Sequence, residues 1–113
     1  MIRIEEFVTE QDSSPFRRWF DTLDHQAAAW VAIAIDRLGE GNTSNAKALG
    51  EGVSELRIDR GPGYRIYFGW DGKLLVILLG GGTKKRQQDD IRSALRHWGS
   101  YKARKAAGRS GRK

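Results

Sequence analysis

The sequence predicts an α+β domain with helices packed on one face of a twisted, mainly antiparallel sheet. Three observations carry this. Between Phe16 and Leu38 the apolar residues recur at helical spacing. From about Val53 the spacing drops to two and persists through Phe68, followed by the unbroken apolar run Leu74–Leu79. Beyond Thr83 the helical spacing returns with Ile91, Ala94, Leu95 and Trp98. The expected order is β-α-α-β-β-β-α, and 113 residues suit one core.

Taken in order, Ile2, Ile4, Phe7 and Val8 mark a first strand. Gln11–Pro15 is a breaker cluster in which Ser14 is placed to cap a helix and Pro15 to occupy its first turn. Phe16, Trp19, Phe20 and Leu23 then form one helical face. A second helix starts near Asp24 and ends at Gly39 and Gly41, which makes a helical hairpin. Leu56 and Ile58 share one face of the next strand, with Glu55, Arg57 and Asp59 on the other. Gly61-Pro62-Gly63 is a turn into Tyr64–Gly69, and Asp71-Gly72 is a hairpin signal. The run Leu74–Leu79 suits a central strand covered on both faces, with Gly80-Gly81-Gly82 breaking it before the last helix.

Charge is distributed unevenly. Residues 1–46 hold four Arg against eight acids, residues 47–101 ten Lys/Arg against six acids, and residues 102–113 six Lys/Arg and no acid. The net charge of +6 therefore sits toward the C-terminus, which favours a polyanionic partner such as nucleic acid. Residues 1–101 are expected to form the domain and 102–113 a mobile basic tail. There is no cysteine, which excludes disulfides and thiolate metal sites, and no cofactor or metal is expected. Acids near the N-terminus and the shortness of the apolar runs point to a cytoplasmic protein without a membrane span.

Strand alternation places Arg57, Arg65 and Tyr67 on the face away from Leu56, Ile58, Ile66 and Phe68. Two arginines and a tyrosine there, with Lys84, Lys85 and Arg86 after the triglycine, outline a cationic surface with a stacking ring. The competing reading is structural: Glu55 and Asp59 neutralise Arg57, and Arg65 pairs with Asp59 across the hairpin. The glycine-rich segment lacks the spacing of a nucleotide-binding P-loop, and His25 and His97 are isolated histidines.

The segments Glu55–Asp59, Gly61–Phe68 and Val76–Gly82, with Lys84 and Lys85, carry a resemblance. They resemble the RelE/ParE superfamily of bacterial toxins, and within it the HigB-like addiction-module killer proteins. The likeness spans about residues 1–100 and leaves the basic tail outside. It implies the toxin of a type II toxin–antitoxin system, neutralised in a hetero-oligomer by a helix-turn-helix antitoxin. It further implies an endoribonuclease that cuts messenger RNA on the ribosome, without metal, through attack of the 2′-hydroxyl on the adjacent phosphate.

On that resemblance Arg65 stabilises the transition state, Arg57 binds phosphate, and Lys84 assists the leaving group. Tyr67 completes the catalytic set, and Lys73, Lys85, Arg86, Lys102, Arg104 and Lys105 bind RNA. One feature departs from the pattern: Gln87–Ile91 offers no tyrosine or histidine for proton transfer, which leaves Tyr67, Asp90 or His97. The alternatives are a ParE-like gyrase inhibitor without catalysis and a relic that binds only RNA or antitoxin, since one fold serves several activities.

Overall fold

Local chemistry starts the first two helices where the sequence places them. In a computed structural model, which describes residues 1–110, β1 (Arg3–Glu6) leads to α1 (Pro15–Phe20), and the Ser14 side chain accepts a hydrogen bond from the Arg17 backbone N–H. Asp24 does the same for Ala27 at the start of α2 (His25–Gly39). Four strands follow: β2 (Ala46–Gly50), β3 (Val53–Ile58), β4 (Tyr64–Trp70) and β5 (Leu75–Thr83). A 3-10 turn at Lys84–Arg86 then feeds α3 (Gln87–Ser110).

The sheet order is β1-β5-β4-β3-β2. β1 runs parallel to β5, and the other neighbours are antiparallel. The α+β class and the antiparallel meander agree with expectation, with four corrections. β2 is an additional edge strand, and its Ala-Lys-Ala-Leu-Gly sequence has too little β-branched or aromatic character to announce itself. The triglycine does not end β5, which runs through it to Thr83. There a Cβ on Gly81 would lie 2.2 Å from the Trp19 ring, so glycine lets α1 sit directly on the strand.

The third correction concerns the layers: the helices do not share one face. Leu56, Ile66, Phe68, Val76 and Leu78 form a core with Phe16, Val31 and Leu38 of α1 and α2. Val53, Tyr67, Ile77 and Leu79 form a second core with Ala94 and Trp98 of α3. Both sheet faces carry large apolar side chains, so each needs a cover, and α3 supplies the second.

The fourth concerns the C-terminus, where residues 102–110 continue α3 instead of beginning a tail. Arg104 donates to the Val8 carbonyl (2.8 Å) and lies over the Phe7 ring, while Lys105 contacts both Asp71 carboxylate oxygens at 2.6 Å. These contacts tie the basic segment to the body. Residues 111–113 of the expected tail lie outside the described residues. No helix among the described residues is long and apolar enough to cross a membrane.

Candidate functional site

Register brings the predicted residues together at one end of the sheet. Arg57 on β3 is the Cα partner of Arg65 on β4, Glu55 is the partner of Tyr67, and Arg65 is the partner of Gly82 on β5. The expected cationic surface is partly covered, because the first turn of α3 lies over this cluster. Gln87 Nε2 donates to Glu55 Oε1 at 3.1 Å. The Asp90 carboxyl rests against Gly82, where a Cβ would lie 2.0 Å from Oδ2. A side chain at 82 would force the Asp90 carboxyl to swing aside.

Arg65 is 2% exposed and Tyr67 is fully buried. Arg65 Nη1 donates to the Tyr64 carbonyl (3.1 Å) and lies 4.0 Å from Asp59 Oδ1. Its Nε is 3.8 Å from Glu55 Oε2, close enough for an ion pair but too long for a hydrogen bond, and that N–H has no partner. Arg57 Nε approaches the same Glu55 oxygen at 3.7 Å. One buried carboxylate thus sits between two guanidinium groups, and the pairing foreseen between Arg57 and Glu55 and between Arg65 and Asp59 is present.

Tyr67 Oη also lacks a hydrogen-bond partner. Burial pushes its pKa well above the usual 10.0, with Asp90 and Glu55 adding to the shift and Arg65 opposing it. The phenol therefore keeps its proton at neutral pH and does not act as a base. Burial also raises the Asp90 carboxyl; Arg86 pulls it down and Asp89 adds to the rise.

Lys84 completes the group. Its backbone N–H donates to the Gly63 carbonyl at 3.1 Å. Its side chain runs over Gly63 beside Arg65: a Cβ on Gly63, whose φ is +80°, would lie 3.3 Å from Lys84 Cδ and 3.7 Å from Arg65 Nη1. Lys85 and Arg86 are exposed in the same turn. Arg57, Lys84, Lys85 and Arg86 can meet a polyanion in solution, whereas Arg65 and Tyr67 are sealed behind them.

The remaining predicted residues lie elsewhere. Lys73 is in the β4–β5 hairpin, at the far end of a nine-residue strand, which at ~3.3 Å per residue means about 26 Å from Lys84. Lys102 and Lys105 are at that distal end too, with Lys102 over the Trp98 ring at 5.8 Å and Lys105 on Asp71, while Arg104 lies by Phe7 and Val8 beyond β1. His97 is ten residues along α3 from Gln87 and packs against Phe7 with ring centroids 5.2 Å apart. Burial lowers its pKa, with Arg96 acting in the same direction. No cluster of three or more acidic or histidine side chains suited to a metal ion occurs among the described residues.

Sequence reasoning assigned no site role to Glu55 or Gln87. The two-residue spacing from Arg57 is a signal for Glu55, but Gln87 has none before the helix is placed. Two comparisons bear on this arrangement. A model of the family described as Phage derived protein Gp49-like (DUF891) matches residues 18–97, from α1 into α3, including the whole cluster. An uncharacterized protein of Haemophilus influenzae is 42% identical over 80 residues, covering 70% of this chain and 81% of the relative.

Proposed function

The chain belongs to the phage-derived Gp49-like family, a toxin-like family related to the RelE/ParE-type toxins, and we propose that it is the toxin of a type II toxin–antitoxin pair, of the HigB-like branch, that cuts messenger RNA on the ribosome. The observation that carries this reading is the shared carboxylate: Glu55 holds Arg57 and Arg65 side by side, with Lys84 adjacent. Cleavage by the neighbouring 2′-hydroxyl needs that oxygen in line with the phosphorus and positive charge where charge builds up. Arg57 and Lys84 are exposed and contact the phosphate; Arg65, behind them, adds fixed positive charge and holds Glu55 in place. As the 2′-hydroxyl attacks phosphorus it gives up its proton to water, the bond from phosphorus to the 5′-oxygen breaks, and the leaving oxygen takes a proton from the Asp90 carboxyl, which sits against Gly82 and whose pKa burial raises. A helix-turn-helix antitoxin is the proposed partner, in a hetero-oligomer with the toxin.

A specific observation favours a second reading, gyrase inhibition without catalysis: Arg65 and Tyr67 are sealed from solvent. Binding through exposed cations needs neither residue to touch a substrate. The test induces the wild type and an Arg57→Ala/Lys84→Ala variant in cells and maps message 5′ ends at nucleotide resolution. New in-frame ends within translated messages, absent with the variant, support the nuclease. Growth arrest with intact messages rejects it in favour of the inhibitor.

A further inference from the structure

A second cationic feature lies between β3 and α2 and shares only Arg57 with the cluster above. β2 pairs with β3 only as far as Leu56, so Arg57 and Ile58 have no strand on that side. α2 crosses the opening, leaving a groove of about 290 Å³ whose lining includes Trp30, Arg37, Asn45, Arg57 and Arg60. Its size is near the lower end for ligand-sized clefts, ~300 Å³. The floor is apolar, formed by Ala34, Leu56 and Ile58.

The rim has a definite chemistry. The Arg60 guanidinium lies 5.3 Å from the centroid of the Trp30 ring, a flat cationic surface on an aromatic support. Trp30 is steadied from the side by Tyr64, with centroids 6.3 Å apart. Arg37 and Arg60 are exposed and make no ion pair among the described residues. The Arg57 backbone N–H donates to the Asn45 carbonyl at 3.0 Å, which fixes Asn45 at the mouth. Asp59 is the acid in this lining, against three arginines.

We propose that this groove holds one nucleotide of single-stranded RNA: its base against the Arg60–Trp30 pair, its edge read by Asn45, and its flanking phosphates on Arg37 and Arg57. A planar ligand fits the flat cation–aromatic surface, an anionic backbone fits the unpaired arginines, and a side-chain amide suits a base edge. An acidic peptide would use the same arginines but neither the stacking surface nor the amide. The inference extends the RNA reading of the proposed function to a surface away from Arg65, and its test does not depend on cleavage.

The probe is a fluorescein-labelled 2′-O-methyl hexa-adenylate, which lacks the attacking hydroxyl, bound to the full chain and followed by anisotropy across a salt series. Arg60→Ala is expected to weaken binding at least about fivefold with little change in salt slope, the signature of lost stacking. Arg37→Ala is expected to flatten the slope by about 0.7, the value for one phosphate contact on a single strand. Both residues are exposed, and circular dichroism confirms that each variant keeps its fold. Unchanged affinity and slope in both variants would overturn the proposal. So would hexaglutamate displacing the probe as well as unlabelled hexa-adenylate does, or a wild type that binds no probe. Intact messages in cells alongside the expected binding changes would reject the nuclease while leaving the groove standing.

Discussion

Arg65 is the residue whose replacement most sharply separates a buried structural charge from an exposed catalytic one. Alternation alone suggests that Arg65 can be changed without harm to the fold; its 2% exposure beneath α3 says otherwise. Arg65→Met keeps most of the stem volume and removes the charge. At an effective dielectric of about 20, the attraction to Glu55 across 3.8 Å is about 4 kcal/mol. The contact with Asp59 adds little, because that side chain is 78% exposed and screened. Removing the guanidinium also removes its desolvation cost, and Glu55 retains Arg57 at 3.7 Å and Gln87 at 3.1 Å. The net loss is therefore about 2–3 kcal/mol, below the ~3–5 kcal/mol for a buried pair left without any partner. Urea unfolding followed by tryptophan fluorescence is expected to show the midpoint lowered by about 1–2 M at unchanged slope. Adding Glu55→Gln is expected to recover at least half of the loss, since no buried charge is then left underneutralised. A single variant within about 0.3 M of wild type, or a double variant no better than the single, would refute this account of the cluster.

Two further outcomes follow from the packing of α3. Gly69→Ala would place a Cβ 2.5 Å from Trp98 Cε3, against a ring anchored by its Nε1 donating to the Glu51 carbonyl at 3.0 Å. A loss of about 1–3 kcal/mol is expected in thermal unfolding, whereas Gly80→Ala, with open space around it, serves as the control. Alkaline pH tests the buried phenols. Burial raises Tyr67 above 10.0, and burial with the hydrogen bond to Asp71 raises Tyr101 to about 12. Both folded values exceed the unfolded one, so their stabilisation is complete below pH 10 and is lost as pH rises through that value toward the folded ones. Melting temperature should fall steeply above pH 10, less so in Tyr67→Phe; ultraviolet titration showing all three tyrosines ionising near 10 in the folded protein would contradict it.

The parts of the fold that were legible share a cause: their signals are local. Ser14, Pro15 and Asp24 cap helices through contacts within a turn, and Asp71-Gly72 closes a hairpin with Gly72 at φ +74°. Alternation put Glu55, Arg57, Arg65 and Tyr67 on one face for the same reason. What stayed hidden depends on distant partners. The triglycine reads as a breaker until Trp19 and Asp90 are seen to occupy the space of the missing side chains. Residues 102–110 read as a tail because their face carries only alanine among apolar residues; their anchors are Val8, Phe7 and Asp71, far away in sequence. The uniformly apolar Leu74–Leu79 run already argues for a cover on both faces, and following it through would have moved α3 across the sheet.

The placement of α3 also redistributes the charge on which the polyanion argument rests. Arg104 and Lys105 are engaged in docking the helix, and Lys102 lies over Trp98. The cations left facing solution around the β3–β4 turn are Arg57, Arg60, Lys84, Lys85 and Arg86, with Arg37 nearby on α2. The surface proposed to face RNA is therefore the turn end of the sheet and not the basic C-terminus alone. Arg57 belongs to both features there, since its Nε faces Glu55 while its side chain lines the α2–β3 groove. If one strand of RNA spans the two, Arg57 is where its backbone passes from the groove to the Arg65 cluster. Replacing Arg57 should then reduce oligonucleotide binding and message cleavage together, whereas Arg60 should affect binding first.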